Sequence, residues 1–142
     1  MARVDFYILA QADERARQTL ARTLAEKARR HANTAYLHAR SRADAAQLDE
    51  LLWTFRDGSF VPHGVVGRDD DTDDSPIMIG CEDATIENRD LLINLCDDIP
   101  PCAKGFPRVA ELVTSDENCR LLSRKRYAIY RDQGHELNTH NL

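Results

Sequence analysis

Apolar residues recur along this chain in two patterns, which alternate in the first third of the sequence. Residues 4–10 (VDFYILA) form a short run of apolar and β-favouring residues, which predicts a buried strand. In residues 13–32, leucines and alanines recur at helical spacing, with acids in the first turn and bases in the last. This pattern predicts a helix that ends at about Asn33.

The same order of elements is repeated in the next segment. Residues 34–39 (TAYLHA) predict a second strand, and Ser41-x-x-Asp44 matches the capping box of a helix that continues to about Trp53. A strand, a helix and a strand within so few residues imply a right-handed crossover between parallel strands. We therefore expect the start of a doubly wound α/β sheet.

Three further strands are predicted in the second half of the chain, at residues 76–80, 90–95 and 109–113. In the last of these strands Glu111 alternates with apolar neighbours, so we expect its side chain to point outward. Because Pro62 has no N–H group to donate to a sheet, Pro62 and Phe60 are assigned to an edge strand or a loop.

The turn after the first strand, residues 11–14 (QADE), has neither the GxGxxG nor the GxxxxGK[ST] pattern that cradles a phosphate group. The predicted fold is a single α/β domain over residues 1–142, with a mostly parallel twisted sheet and helices on both faces. It is Rossmann-like but without a nucleotide-binding loop. The acidic residues 68–75 contain no apolar side chain and are expected to form a mobile surface loop. A calcium loop is the weaker alternative, because its glycine at position six and glutamate at position twelve are missing. Residues 135–142 are expected to form a C-terminal tail.

Composition and cysteine spacing exclude several classes of protein. A chain of 142 residues with 42% apolar and 30% charged residues is typical of one globular domain. It shows neither a signal-peptide pattern nor an apolar stretch long enough to span a membrane, so a soluble cytoplasmic protein is expected. No cysteine pair has the CxxC spacing of a zinc site, and we expect most of the four cysteines to be reduced and partly buried; they are Cys81, Cys96, Cys102 and Cys119.

Motifs for catalysis are absent from the sequence, which contains no GxSxG and no HExxH. His31 and His38 lie at a predicted helix end and in a predicted strand, where a structural role is expected. His63 follows Pro62 and would suit a cleft, but the sequence places no partner beside it. We therefore expect no catalytic residue, no metal and no cofactor.

The last predicted helix combines positive charge with an amphipathic pattern. The chain has a net charge of -5, yet residues 119–131 carry five cations and no carboxylate. Thr114-x-x-Glu117 matches a capping box at the start, and Gly134 is expected to end the helix. Its apolar face, which is predicted to pack on the core, consists of Leu121, Leu122, Ala128 and Ile129.

Another face of this helix presents guanidinium groups beside an aromatic ring. A sector roughly 60° wide contains Arg120, Arg124, Tyr127 and Arg131. Guanidinium groups bind carboxylates or phosphates, so the ligand would be an acidic peptide, a nucleic-acid backbone or the protein's own acids. Because the acidic chain would repel a phosphate backbone, an acidic peptide is favoured over duplex DNA. A solvated face with local ion pairs is the alternative.

A second candidate surface holds several of the chain's few large apolar groups. They follow one another in a helix–loop region, at Trp53, Phe55, Phe60, Val61 and Pro62. These side chains either fill the end of the core or form an exposed apolar patch that binds a partner protein.

Five segments together resemble the chi subunit of bacterial DNA polymerase III holoenzyme. They are residues 5–9 (DFYIL), 47–53 (QLDELLW), 59–63 (SFVPH), 124–131 (RKRYAIYR) and 137–139 (LNT). The resemblance runs nearly end to end and in order. It implies an α/β fold like that of a nucleotide-binding domain without a working nucleotide site. It also implies a non-catalytic accessory subunit of the replicative polymerase.

The resemblance further implies two partners and indirect contact with nucleic acid. One partner is the psi subunit, which connects chi to the clamp loader in a heterodimer and would contact Trp53, Phe60, Pro62 and His63. The other is the acidic C-terminal tail of single-stranded DNA-binding protein, which would be held by Arg124, Tyr127, Arg120, Val113 and Thr139. The family has a second cation directly after the tyrosine, whereas this chain has Ala128. Arg120, Arg124 or Arg131 would have to replace it.

Three alternatives stay open. The fold could serve a nucleotide-dependent enzyme with an atypical phosphate site, or the basic helix could bind single-stranded DNA directly, although only Tyr127 and Tyr130 are available there for stacking. Residues 98–100 (DIP) also resemble the acidic and apolar end of such a tail, so the chain could occlude its own pocket.

Overall fold

The computed structural model describes residues 2–53, 63–65, 76–81 and 89–142, and for Trp53, His63 and Gly64 it describes the backbone alone. The predicted acidic loop at residues 68–75 lies outside the described residues. The elements in chain order are β1 (Arg3–Ile8), α1 (Glu14–Arg30), β2 (Ala35–Ala39), α2 (Arg42–Trp53), β3 (His63–Val65), β4 (Ile77–Cys81), β5 (Leu91–Asn94), a 3-10 turn (Pro101–Gly105), β6 (Arg108–Val113), α3 (Glu117–Asp132) and β7 (Glu136–Asn141).

The strands form one seven-stranded sheet in the order β3-β4-β2-β5-β6-β1-β7, and every neighbouring pair is parallel. Helices α1 and α2 pack on one face, where Ala21, Ala25 and Leu48 join a buried cluster. Helix α3 packs on the other face, where Cys119 and Tyr130 join a second cluster. The predicted single α/β domain with helices on both faces of a parallel sheet is therefore confirmed.

Helix α1 begins after Asp13 and ends before Asn33, and helix α2 begins after Ser41, so polar residues flank these helix ends. Asp13 has the extended backbone of an N-cap before α1, and the helix ends where Ala32 adopts a positive φ of 58°. The N–H of Asn33 then donates to the Ala28 carbonyl at 2.8 Å. At α2, the Asp44 N–H donates to the Ser41 hydroxyl at 3.2 Å, as the capping-box pattern predicts.

The start of α3 differs from the prediction. Asp116, not Thr114, is the N-cap, and its carboxylate accepts a hydrogen bond from the Cys119 N–H at 3.0 Å. Thr114 Oγ1 instead accepts from the Asp116 N–H at 3.4 Å, and the Ser115 N–H donates to the Gln11 carbonyl at 2.8 Å. The predicted end is confirmed, since Gly134 has a φ of 83°.

The prediction that Glu111 points outward is wrong, because Glu111 is 0% exposed. Its carboxylate accepts from Arg126 Nε at 3.1 Å and from the Tyr130 hydroxyl at 2.7 Å. Asn94 Nδ2 donates to both carboxylate oxygens, at 3.1 and 3.0 Å. Alternation did not indicate a solvent face here, because helices cover both faces of β6. Burial raises the pKa of Glu111, and the Arg126 guanidinium opposes that shift.

The prediction that the aliphatic side chains of α3 pack on the core is also wrong for this helix. Its buried residues are Cys119, Ser123, Arg126 and Tyr130, whereas Leu121 is 50% and Ile129 47% exposed. The helix is turned so that Arg126 and Tyr130 reach Glu111, and the aliphatic side chains consequently face away from the sheet. Polar partners for one buried carboxylate thus determine which side of α3 meets the core.

The segment expected as a C-terminal tail forms β7, the edge strand beside β1. Its first and last hydrogen bonds are from Glu136 N to Ala2 O at 3.0 Å and from Leu142 N to Ile8 O at 2.9 Å. On the α1 side of the sheet, His140 Nε2 lies 3.0 Å from Asp5 Oδ1. Leu137 is half-buried against the cluster beneath α3.

All four cysteines are free thiols, as expected. Burial raises the pKa of Cys96 to about 12, so this thiol is a poor nucleophile. His38 is buried, and its Nδ1 forms a hydrogen bond with the Tyr36 hydroxyl at 2.8 Å. Burial lowers the pKa of His38. Of the helices that the structure describes, none combines the length and the apolar character needed to cross a bilayer.

Replacing Arg126 by Met would leave the buried Glu111 carboxylate without its cation. We expect the free energy of unfolding to fall by about 3–5 kcal/mol, as measured by chemical denaturation. The matched control is Arg124→Met on the exposed side of the same helix, which should change the free energy by no more than about 0.5 kcal/mol. Equal effects of the two substitutions would contradict the importance of the Glu111–Arg126 pair.

Candidate peptide-binding groove

A groove of about 260 Å³ lies between α3 and the sheet, over strands β1, β6 and β7. Register places its sheet residues side by side, because Phe6 pairs with Thr139, and Ile8 pairs with both Val113 and Asn141. The groove is lined by Phe6, Ile8, Val113, Arg120, Ser123, Arg124, Tyr127, Thr139 and Asn141.

The floor of the groove is apolar and rigidly held. Phe6 is 2% exposed and Val113 is 0% exposed, since both belong to the core cluster beneath α3. Above them the Tyr127 ring stands 5.3 Å from the Phe6 ring, centre to centre, at an angle of 54°. Tyr127 itself is 37% exposed and so forms a wall that a ligand can touch. The floor can therefore accept an apolar side chain.

The rim of the groove is positively charged. Arg120 and Arg124 lie one turn apart on α3, both are exposed, and both line the groove. Neither guanidinium group makes an ion pair or a hydrogen bond with any residue that the structure describes. Arg126 of the same helix, in contrast, is buried against Glu111. The two rim arginines are therefore available to bind an anionic ligand.

All five residues proposed for tail binding, Arg124, Tyr127, Arg120, Val113 and Thr139, line this one groove. Three arginines were considered as replacements for the cation that is missing at Ala128, and two of them, Arg120 and Arg124, line the groove. The third, Arg131, has a 65% exposed side chain 3.6 Å from Asp132 and does not line it.

Sequence reasoning missed four groove residues, Phe6, Ile8, Ser123 and Asn141. The alternation in β1 places Phe6 and Ile8 on one face and was a usable signal. Asn141 could not be assigned, because β7 was not predicted as a strand.

Residues 98–100, which could have occupied the groove, lie elsewhere in the described structure. Ile99 packs against the core cluster beneath α3, and the Asp98 carbonyl accepts from Asn94 Nδ2 at 3.1 Å. Residues 98–100 do not line the groove. Its mouth is therefore not covered by this segment.

Of the residues proposed to face psi, the structure describes the backbones of Trp53 and His63, which lie at the opposite end of the sheet. Trp53 is the last residue of α2, and His63 is the first residue of β3, the other edge strand. Phe60 and Pro62 lie outside the described residues, as do Phe55 and Val61. With six strand spacings of about 4.8 Å, the two edges are roughly 29 Å apart. The groove and the two residues Trp53 and His63 therefore lie at opposite edges of the sheet.

A second cavity, of about 160 Å³, lies at the carboxyl ends of the strands, where doubly wound proteins bind nucleotides. Glu14, in the first turn of α1, occupies the position that a phosphate would take there. Its carboxylate accepts from Arg17 Nε at 2.8 Å and lies 3.6 Å from Arg40 Nη2. Asp97 and Asp116 also line the cavity, so acids outnumber cations. This charge disfavours a nucleotide phosphate.

No three metal-ligating side chains of His, Cys, Asp or Glu converge within the described parts of the chain. The groove itself offers two guanidinium groups and the polar side chains of Ser123, Thr139 and Asn141 beside an apolar floor.

The overall fold is similar to part of a structure of S. cerevisiae Dbp5 bound to RNA and ADP BeF3. The TM-score is 0.61 and the identity is 14%, with 97% of this chain and 41% of that chain covered. At this identity the likeness concerns the fold alone.

Sequence comparison identifies relatives along the whole chain. Residues 1–138 match the family of the DNA polymerase III chi subunit, HolC. The chain is 40% identical over 142 residues to DNA polymerase III subunit chi of Pseudomonas aeruginosa, covering 100% of this chain and 98% of that protein. The same subunit of Haemophilus influenzae is 32% identical over 138 residues, covering 96% and 95%. This chain therefore belongs to the family of DNA polymerase III chi subunits, which are accessory subunits in DNA replication.

Proposed function

We propose that this chain is a non-catalytic adaptor of the replicative polymerase. Its groove binds the acidic C-terminal tail of single-stranded DNA-binding protein, and its far edge, around β3, binds the psi subunit that leads to the clamp loader. The observation that carries this proposal is that Arg120 and Arg124, which have no partner within the described ranges, lie above an apolar floor. Family membership supports it.

The two parts of the groove recognise two parts of the ligand. Arg120 and Arg124 pair with aspartate side chains and the terminal carboxylate of the tail, while Phe6 and Tyr127 hold its last apolar side chain. Exposed ion pairs contribute only about 0.2–1 kcal/mol each, whereas burying one large apolar side chain contributes about 1.5–3 kcal/mol. The apolar contact therefore provides more affinity, and the arginines select an acidic terminus.

The opposite position of the two edges explains how one small domain could join two partners. A peptide in the groove lies over β1 and β7, whereas Trp53 and His63 lie at the β3 edge. Binding at one edge then needs no rearrangement at the other. The domain would act as a rigid link that keeps single-stranded DNA-binding protein near the clamp loader.

Arg124→Ala should weaken binding of a labelled peptide with the C-terminal sequence of single-stranded DNA-binding protein by about twofold to fivefold. Fluorescence anisotropy measures the dissociation constant. Raising the salt concentration should weaken peptide binding more for the native protein than for the variant, because the variant has lost one charge pair that salt can screen.

Arg131→Ala is the matched control for this measurement, since Arg131 is exposed on the same helix but outside the groove. It should leave the dissociation constant unchanged. If Arg124→Ala and Arg131→Ala had the same effect, the peptide would be responding to net charge, and the groove would be the wrong site.

Phe60→Ala should weaken binding of the psi subunit by about thirtyfold, because large apolar anchors dominate such interfaces. Isothermal titration calorimetry with psi measures this. The tail peptide should bind the Phe60 variant normally, and psi should bind the Arg124 variant normally. Loss of both activities in either variant would contradict two separate sites.

ATP or a dinucleotide at millimolar concentration should leave the melting temperature of the protein unchanged. The physical reason is that Glu14, Asp97 and Asp116 surround the site where phosphates would bind. A thermal-shift assay tests this. A clear rise in melting temperature would favour the nucleotide-dependent enzyme instead.

A further inference from the structure

Strand β7 uses half of its backbone groups to pair with β1. In a parallel ladder, successive residues direct their N–H and C=O groups to opposite sides. Glu136 N donates to Ala2 O at 3.0 Å and Leu142 N donates to Ile8 O at 2.9 Å. These two bonds show that the N–H and C=O groups of the even-numbered residues of β7 point towards β1.

The odd-numbered residues, Leu137, Thr139 and Asn141, therefore direct their N–H and C=O groups to the open edge of the sheet. No residue within the described ranges makes a hydrogen bond to these groups. Thr139 and Asn141 also line the groove with their side chains. The unpaired backbone groups thus lie directly beside the proposed ligand site.

This edge lacks the features that usually prevent strand addition. Proteins protect edge strands with charged side chains, especially lysine, with proline, with bulges or by a very short length. Strand β7 has six residues, its one carboxylate is Glu136 at the first position, and its interior, residues 137–140 (LNTH), contains neither lysine nor proline. Its backbone has no residue with a positive φ. An extended chain could therefore pair with it without a steric obstacle from the strand itself.

The size of the groove indicates that a peptide must continue beyond it. At about 260 Å³ the groove is smaller than the roughly 300–1,000 Å³ of pockets that enclose a drug-sized ligand. It therefore holds only the end of a peptide. The adjoining residues of that peptide leave the groove, and the open side of β7 borders the groove at Thr139 and Asn141.

We propose that the acidic peptide held by the groove continues as an extended strand along β7 and adds an eighth strand to the sheet. This inference rests on the proposed function. Its backbone forms hydrogen bonds with Thr139 and Asn141, while its end is held by Arg120, Arg124 and the apolar floor. Because backbone groups carry no sequence information, residues preceding the terminus contribute affinity while remaining free to vary.

Backbone amide exchange tests the proposal on the native protein. By NMR, the amide hydrogens of Thr139 and Asn141 should exchange rapidly in the free protein and at least about tenfold more slowly with saturating tail peptide. The amide of His140, which already faces β1, serves as the internal reference and should change little. Unchanged exchange at Thr139 and Asn141 with the peptide bound would overturn the added strand.

Modified peptides give a second test that requires no variant protein. N-methylation at alternate positions upstream of the terminus removes the backbone donors, and should weaken binding by about threefold to tenfold at one phase of the alternation. Methylation at the other phase, where the groups point away from β7, should have little effect. Equal tolerance at every position would contradict backbone pairing.

Thr139→Pro removes the N–H group at the open edge, whereas Thr139→Val keeps that group and removes the hydroxyl. The proline variant should bind the tail peptide about threefold to tenfold more weakly than the valine variant. If Arg124→Ala lost binding but the methylated peptides bound as tightly as the unmethylated one, the groove would remain the binding site and the added strand would be wrong. Protection of Thr139 and Asn141 that grows with protein concentration alone would assign the edge to a second copy and overturn the proposal.

Discussion

The burial of the Glu111 carboxylate is the constraint on which the orientation of α3 depends. A carboxyl group at 0% exposure needs hydrogen-bond partners around it, and α3 supplies two of them in Arg126 and Tyr130. To do so the helix turns Leu121 and Ile129 towards solvent. The same rotation carries the rim arginines over β1 and β7. A buried ion pair therefore determines where the groove lies.

Periodicity was sufficient to predict the fold class and most elements. Parallel strands buried on both faces give continuous apolar runs, and α1 repeats its alanines and leucines at helical spacing. The groove arginines were also accessible, since residues 120, 124 and 127 share one helical sector regardless of how the helix is turned. The rotation of α3 was not accessible, because it depends on a contact with Glu111 on a different strand.

Strand β7 shows a second limit of sequence reasoning. Its sequence, ELNTHN, lacks the β-branched and apolar alternation that marks a strand, because an edge strand has little surface to bury. It is held instead by a ladder with β1, whose residues are more than 130 positions away along the chain. Residues 141 and 8, which complete the groove, become neighbours only through that long-range pairing.

Glu14 has a wider consequence for how this fold is used. In nucleotide-binding relatives of such sheets, the helix after the first strand meets a phosphate supplied from outside. Here the chain supplies the anion itself, because Glu14 lies at that helix end and is held by Arg17 and Arg40. The positive end of that helix is thereby occupied by a carboxylate of the chain itself, beside a cavity in which acids already outnumber cations.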